Sequence, residues 1–214
     1  MSKTKILCYG DSNTYGYDPD SDWGRYPETV RWVEKLGVLL GDGYEVVNEG
    51  LNGRTTAYDW LEGSMRNGLS ALPACLEKQN PVDVLVFMLG TNDCSSDLAL
   101  PVEGIVGGME KLVLKAKEQA KTADGKEPVF VLIVPSAIGE NYVGTVFAHQ
   151  LDDGSVIKSR ALSEPYRALS EKYGTLFLDA SDLAVSPRDC EHLTEESHRL
   201  LAERVFTLLK KDGI

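Results

Sequence analysis

Short apolar segments alternate with longer segments of helical periodicity along the whole chain. The run from Val82 to Leu89 carries one charge and is otherwise apolar, which is typical of a parallel strand buried on both faces. The pattern predicts strands over residues 6–9, 45–48, 82–89, 129–134 and 176–179. It predicts helices over residues 29–40, 68–79, 102–121, 158–173 and 194–211. This alternation predicts an α/β fold: a flavodoxin-like three-layer αβα sandwich with a central five-stranded parallel sheet and right-handed crossovers.

Two long connections interrupt the alternation, over residues 18–28 and 136–157. Long ordered loops in a compact domain tend to carry function. Both connections lie on the side of the sheet where the strands end. We therefore expect them to wall a pocket or to form a subunit interface.

The chain has 214 residues, and we predict a single domain over residues 1–214. Hydrophobic residues make up 43%, which is typical of a globular protein and too high for a disordered one. No apolar run approaches the roughly 20 residues that span a bilayer. The apolar run after the basic N-terminus stops at Gly10 and is shorter than a secretory signal. We therefore expect a cytoplasmic protein with no membrane partner.

The net charge and the spacing of the cysteines exclude further classes of binding partner. The formal net charge of −11 argues against nucleic acid and anionic membranes, because both attract basic surfaces. The cysteines are far apart and form no C-x-x-C pair, so we expect reduced thiols and no zinc site. They are Cys8, Cys75, Cys94 and Cys190.

A serine lies directly after the first predicted strand. Ser12 follows Gly10 and Asp11, and this small turn places its hydroxyl at the carboxyl edge of the sheet, where open α/β folds carry out their chemistry. On its own, a serine after a strand is typical of a turn or a helix cap. A catalytic serine also needs a base, and that base needs an orienting partner.

The chain offers three histidines as the base. His192 lies in the loop before the last helix, three residues after Asp189. This spacing allows the carboxylate to bind Nδ1 while Nε2 faces Ser12. His149 lies in the second long loop, where it can contact substrate, and His198 lies in the last helix, where we expect a solvated surface residue. The alternative is that Asp189 and His192 only shape a turn.

A serine that attacks a carbonyl group also needs hydrogen-bond donors in the protein, which stabilise the developing oxyanion. The candidates are the backbone N–H of Ser12, the backbone N–H of Gly53 and the side-chain amide of Asn92. Glycine at position 53 allows the backbone to approach a substrate closely. Each candidate also has a plain alternative, which is a turn glycine for Gly53 and an Asx-turn for Asn92.

Four separated motifs, taken in order, resemble the four sequence blocks of the SGNH (GDSL-like) hydrolase superfamily. The motifs are Gly10-Asp11-Ser12, the pair Gly50 and Gly53, Gly90-Thr91-Asn92-Asp93, and Asp189-x-x-His192. The resemblance covers essentially the whole chain. Further segments are similar to the bacterial arylesterase/acyltransferase branch: Val30-Arg31-Trp32, Glu49-Gly50-Leu51 and Arg54-Thr55-Thr56.

The resemblance implies a serine esterase that forms an acyl-enzyme from a small-molecule carboxylic ester and passes the acyl group to water or to another alcohol. Ser12 then corresponds to the nucleophile, His192 to the base and Asp189 to its orienting acid, with Ser12, Gly53 and Asn92 as the oxyanion hole. The family uses no metal or organic cofactor. Members of this branch are often homo-oligomers, sometimes octamers, in which neighbouring subunits narrow the active-site entrance.

Two positions depart from the family pattern. Asn13 stands where the family usually has leucine, and Cys190-Glu191 stands where relatives have a small and then an apolar residue. If Asn13 and Glu191 line the entrance, the pocket favours short acyl groups on polar alcohols, such as acetylated sugars. Asp11, Asn13, Glu191 and His149 are therefore candidate substrate-binding residues. The alternative is that Asn13 and Glu191 point to solvent or bond locally.

Two other functions stay open at this point. One is metal-dependent phosphoester hydrolysis through Asp11, Asp93 and Asp189. This interpretation is weakened because the segment after Asp11 lacks the second aspartate of an Asp-x-Asp loop and no glycine-rich phosphate cradle is present. The other is a non-catalytic carbohydrate-binding module, in which the intact triad would be accidental.

Overall fold

The computed structural model describes residues 3–21, 24–60 and 66–214. The strands of this part are β1 (Thr4–Gly10), β2 (Tyr17–Asp18), β3 (Gly24–Arg25), β4 (Tyr44–Gly50), β5 (Val84–Met88), β6 (Val129–Val134) and β7 (Leu176–Asp179). Its helices are α1 (Ser12–Tyr15), α2 (Trp32–Leu40), α3 (Gly68–Gln79), α4 (Val102–Gln119), α5 (Asp153–Arg160), α6 (Ser163–Tyr173) and α7 (Glu195–Lys211). A short 3₁₀ turn covers Asn92–Cys94.

Five strands form one parallel sheet in the order β4-β1-β5-β6-β7. The predicted five-stranded parallel sheet is therefore confirmed. After β1 the chain first pairs β4 on one side of β1 and later pairs β5 on the other side. The strand order thus reverses at β1, and open α/β sheets bind ligands in the crevice beyond the carboxyl ends of the strands at such a point.

The pleat of the strands builds two cores, one on each face of the sheet. Leu7 and Tyr9 of β1 point into a core that also contains buried side chains of α3, α4 and α6. Ile6 and Cys8 point to the opposite face, where α2 and α7 pack. Each large apolar side chain buried in this way stabilises the fold by roughly 1.5–3 kcal/mol. The three layers therefore follow from strands that are apolar on both faces.

The predicted helix over residues 158–173 is two helices. Helix α5 begins earlier, because Asp152 and Ser155 form a reciprocal capping box at its first turn. Pro165 lies in the first turn of α6, where its missing N–H costs nothing, whereas one continuous helix would place it in the interior. The second long connection consequently ends at Asp152, and the helix start at Lys158 was wrong.

The first long connection takes part in a strand pair that the sequence pattern did not predict. Strand β2 begins one residue before this connection and pairs antiparallel with β3 inside it, with Tyr17 opposite Arg25. Several other boundaries differ from the predicted ones; α2, for example, starts at Trp32, and β5 is shorter than the predicted run. Among the residues that the structure describes, no helix combines the length and the apolar character needed to cross a membrane.

Candidate active site

Ser12 is the first residue of α1 and follows the carboxyl end of β1 directly. The Asp11 side chain caps the helix by accepting the Asn13 N–H at 2.9 Å. Gly10 is required here because a Cβ at this position would lie 2.0 Å from Thr14 Oγ1 and 2.8 Å from the Met88 carbonyl oxygen. This tight passage next to β5 brings the Ser12 hydroxyl to the point where the strand order reverses.

Ser12, His192 and Asp189 form one continuous hydrogen-bonded chain. His192 Nε2 lies 2.8 Å from Ser12 Oγ, and His192 Nδ1 lies 2.7 Å from Asp189 Oδ2. The other carboxylate oxygen of Asp189 accepts the backbone N–H groups of Glu191 and His192, each at 3.0 Å. These bonds fix the carboxylate and the imidazole on the same turn. All three proposed catalytic side chains are buried.

The electrostatics of the three groups favour proton transfer from Ser12 to His192. Burial acts to raise the pKa of Asp189, but the His192 hydrogen bond and charge hold that pKa below its usual range. Burial acts to lower the pKa of His192, but the Asp189 hydrogen bond and the charges of Glu191, Asp189 and Asp11 raise it above its usual value. An ionised carboxylate beside a basic imidazole is the arrangement that activates a serine hydroxyl.

Two aromatic rings pack against the imidazole. The Tyr17 ring centroid lies 4.3 Å from that of His192, and the Phe147 centroid lies 5.6 Å away at a steep angle. Tyr17 belongs to β2, and Phe147 belongs to the second long connection. The second long connection thus reaches the site as expected, whereas Tyr17 lies one residue before the first long connection. No local feature of the sequence indicated either residue.

Three donors converge near Ser12. As the first residue of a helix, Ser12 has no intrahelical acceptor for its N–H. Gly53 holds a φ of +75°, and no acceptor among the described residues takes its N–H. The Asn92 amide donates one hydrogen to the Arg54 carbonyl at 3.0 Å, and no other described residue accepts from this amide. All three residues that carry these donors line the same cavity.

Arg54 ties the loop that carries Gly53 to the first strand. Its Nη1 donates to the carbonyl of Gly10 at 2.7 Å and also bonds the carbonyl of Glu49. Its guanidinium lies 3.9 Å from the centroid of the buried Tyr9 ring. Sequence reasoning quoted Arg54 only as part of a motif and missed this positioning contact.

The cavity over Ser12 and His192 encloses about 260 Å³. Apart from those two residues and the candidate oxyanion donors Gly53 and Asn92, its walls combine aromatic and polar side chains. These are Tyr17, Trp60, Phe147, Asn52, Arg66, Gln150 and Glu191. Of the four residues proposed to bind substrate, Glu191 therefore lines the cavity.

The other three proposed substrate-binding residues lie elsewhere. The Asn13 amide donates to the Glu191 carbonyl, and its Oδ1 accepts the Leu193 N–H, so it bonds locally rather than facing the entrance. Asp11 is fully buried off the cavity, and burial raises its pKa to about 7. His149 is exposed and lines a neighbouring cleft.

The expectation that His198 is a solvated surface residue was wrong. Its side chain is 1% exposed, and its Nδ1 accepts the backbone N–H of Trp32 at 3.3 Å. The sequence did contain a signal, since His198 falls on the buried stripe of α7 formed by Leu201, Ala202, Val205 and Leu209. Burial, with the nearby charges of His192, Lys35 and Arg31, lowers its pKa to about 3.

The aspartates of the phosphoesterase alternative are engaged separately. Asp93 accepts the Thr56 N–H at 3.0 Å, Asp189 binds His192, and Asp11 binds the Asn13 N–H. Within residues 3–21, 24–60 and 66–214, no group of three or more His, Cys, Asp or Glu side chains is arranged to hold a metal ion. The side chains thus give this alternative no common site.

Residues 8–200 match the model of the GDSL-like Lipase/Acylhydrolase family. A carbohydrate acetylesterase family member from Sinorhizobium meliloti superposes with a TM-score of 0.89 at 34% identity, over 97% of this chain and 98% of that one. A second carbohydrate acetylesterase from the same organism has a TM-score of 0.89 at 31% identity, over 98% and 99%. The M. smegmatis aryl esterase has a TM-score of 0.89 at 29% identity, over 97% and 99%. No match is found among curated proteins.

Proposed function

Because the chain belongs to the GDSL-like lipase/acylhydrolase family, we propose that Ser12, His192 and Asp189 are the catalytic triad of a serine esterase. By family and by its esterase structural relatives, the chain is a carboxylic ester hydrolase. The observation that carries the triad is the hydrogen-bonded chain from Asp189 through His192 to Ser12, at 2.7 and 2.8 Å, beside a cavity with unused donors.

In the first half of the proposed reaction, Ser12 Oγ attacks the carbonyl carbon of the ester and His192 Nε2 takes its proton. The carbonyl oxygen becomes an oxyanion, which accepts hydrogen bonds from the N–H groups of Ser12 and Gly53 and from Asn92 Nδ2. Asp189 stabilises the imidazolium. The C–O bond then breaks, and the imidazolium gives its proton to the leaving alcohol.

In the second half, a water molecule or a second alcohol takes the place of the leaving group. His192 removes a proton from the incoming water or alcohol as the oxygen of that molecule attacks the acyl-enzyme. The same donors bind the new oxyanion. Collapse returns the proton to Ser12 and releases an acid or a new ester. The two outcomes differ only in the acceptor, so hydrolysis and acyl transfer share this machinery.

The size and the lining of the cavity support a preference for short acyl chains and polar alcohols. It encloses about 260 Å³, and besides Ser12, Asn92 and His192 it is lined by four residues with amide or charged side chains. A longer acyl chain gains about 0.8 kcal/mol per methylene only where an apolar wall buries it, and a cavity of this volume has room for few methylenes. Two similar solved structures are carbohydrate acetylesterases. We therefore infer acetyl esters of polar alcohols or sugars as the substrate class, with butyryl esters preferred over octanoyl esters.

The test combines turnover with covalent labelling. Ser12→Ala should lose at least ~10³-fold in kcat on p-nitrophenyl acetate while folding normally. A serine-directed fluorophosphonate should add to intact native protein at Ser12, with activity unaffected by EDTA. Ser170→Ala is the matched control, because it truncates a buried serine of α6 away from the cavity. Full activity in Ser12→Ala, or loss of activity with EDTA, would contradict the triad; absence of Ser12-dependent turnover would favour a binding module.

We also propose a homo-oligomer, as the resemblance implies. Val143 and Val146 are large, exposed apolar residues on the same connection that carries Phe147 to the cavity. Light scattering coupled to gel filtration should give a mass that is a multiple of 23.5 kDa, and a monomer would contradict this proposal.

A further inference from the structure

The Glu191 side chain is almost completely buried, and its carboxylate has no hydrogen-bond or ion-pair partner among the residues that the structure describes. Glu191 is 8% exposed and lines the cavity. Its backbone is fully engaged, because its N–H binds Asp189 and its carbonyl accepts from Asn13. In the part of the chain that the structure describes, no donor binds its side chain, and no ion pair includes it.

An unpaired carboxylate in this position is costly. Removing a charged group from water without a compensating hydrogen bond is strongly unfavourable. Burial accordingly raises the pKa of Glu191, an effect that the charge of His192 partly offsets. Arg66 lines the same cavity but uses its Nε on the Asn52 carbonyl, at 2.8 Å. A ligand hydroxyl that donates to Glu191 would supply the missing bond.

The role of His192 indicates which part of the ester lies next to Glu191. His192 Nε2 must protonate the departing oxygen, so the alcohol portion lies on the imidazole side of the cavity. Glu191 is the neighbour of His192 in the chain and raises the pKa of that imidazole through its charge. The rings of Tyr17 and Phe147 pack against the same imidazole. We therefore expect the leaving alcohol to contact the Glu191 carboxylate and the rings of Tyr17 and Phe147.

The cavity wall around Glu191 indicates the kind of alcohol that fits. The rings of Tyr17 and Phe147 line the same cavity as the Glu191 carboxylate. An acceptor in a cavity lined by aromatic rings matches an alcohol that carries a free hydroxyl on a carbon skeleton. A cationic alcohol fits less well, since the Arg66 side chain occupies the same cavity wall.

We propose that Glu191 determines specificity for the alcohol, its carboxylate accepting a hydrogen bond from a free hydroxyl of a neutral polyhydroxy alcohol such as glycerol or a sugar. This inference rests on the proposed esterase function. It assigns the polar preference to one residue between the triad acid and the triad base.

The test uses two acetyl esters with the same acyl group and the same three-carbon skeleton. Glycerol 1-acetate carries two free hydroxyls, and propyl acetate carries none. The native enzyme should favour glycerol 1-acetate in kcat/KM by at least ~10-fold, the effect of one hydrogen bond to a charged group. In Glu191→Leu the ratio should fall to about one, and Glu191→Gln, which keeps an acceptor of the same shape, should be intermediate.

Glu195→Leu is the matched control, because it removes an exposed carboxylate at the start of α7, four residues along the chain. Its ratio should equal the native ratio. A ratio near one in the native enzyme, or an unchanged ratio in both Glu191 variants, would overturn the inference. A Glu191-dependent preference for acetylcholine, or for a hydroxylated acyl group over a hydroxylated alcohol, would do the same. Failure of the native enzyme to turn over any ester, p-nitrophenyl acetate included, would instead contradict the proposed function.

Discussion

The side chain of Asn13 holds the backbone on both sides of His192. Its Nδ2 donates to the carbonyl of Glu191 at 3.3 Å, and its Oδ1 accepts the N–H of Leu193 at 2.8 Å. The amide is almost completely buried, so neither bond has a water molecule as a ready substitute. The residue after the proposed nucleophile therefore sets the distance between Ser12 and the proposed base.

We predict that Asn13→Ala lowers kcat by about 10-fold or more with little change in KM. The substitution leaves a buried carbonyl and a buried N–H unpaired, at about 1–3 kcal/mol each in stability, and releases the loop that carries His192. Small displacements of a catalytic group are costly to rate. Steady-state kinetics on p-nitrophenyl acetate, together with urea unfolding, measure both effects.

Asn80→Ala provides the control for lost stability. Asn80 makes the same pair of bonds, donating to the Gln119 carbonyl and accepting the Lys121 N–H, but it lies before β5, at the end of the sheet opposite to the site. Its removal should change stability while kcat stays within twofold of native. Equal losses of kcat in the two variants would contradict a positioning role for Asn13.

The pH profile should report the raised pKa of His192. The imidazole must be neutral to accept the Ser12 proton, so kcat/KM should fall as pH drops through a value above the usual ~6.5. The groups that set this value are the hydrogen-bonded Asp189, the charges of Glu191 and Asp11, and the opposing effect of burial.

Glu191→Gln should therefore move the acid limb to lower pH, because it removes one of the charges that stabilise the imidazolium. The comparison is made on kcat/KM for p-nitrophenyl acetate between pH 4.5 and 9, with Glu195→Gln as the charge-matched control. A native limb below pH 6, or an identical limb in Glu191→Gln, would be inconsistent with this electrostatic account.

His198 should make the fold lose stability as pH falls. The pKa of the buried imidazole is lowered to about 3, whereas the unfolded chain binds the proton near pH 6.5. The contribution of His198 to the free energy of unfolding is complete above pH 6.5. Below that pH it declines by up to about 1.4 kcal/mol per pH unit. Asn at this position can still accept the Trp32 N–H without titrating. The free energy of unfolding of His198→Asn should thus depend less on pH between 4 and 6.5, and parallel curves would contradict the prediction.

Sequence reasoning predicted the sheet because its strands are apolar on both faces, and it proposed Ser12, Asn92 and His192 as site residues because each follows a strand or precedes a helix. It missed the contacts made by long-range packing. Tyr17 and Phe147 lie 130 positions apart in the chain, and nothing local indicates that both contact the same imidazole. It also interpreted Asn13 as a substrate-binding residue because the side chain is polar. Only the fold shows that the Asn13 amide forms hydrogen bonds with the backbone on both sides of His192.

The last prediction concerns Asn92 and the oxyanion. One hydrogen of its amide is bound to the Arg54 carbonyl at 3.0 Å, and Asn92 lines the same cavity as Ser12, so we expect the other hydrogen to bind the oxyanion. This second hydrogen bond strengthens only as negative charge develops, so Asn92→Ala should lower kcat by ~10²–10³ with little change in KM. Asn48→Ala is the control, since its amide likewise donates to a backbone carbonyl, that of Thr14 at 2.9 Å, and it lies off the cavity. It should lose stability and keep kcat within twofold, whereas a raised KM at native kcat in Asn92→Ala would make that residue a ground-state binding group.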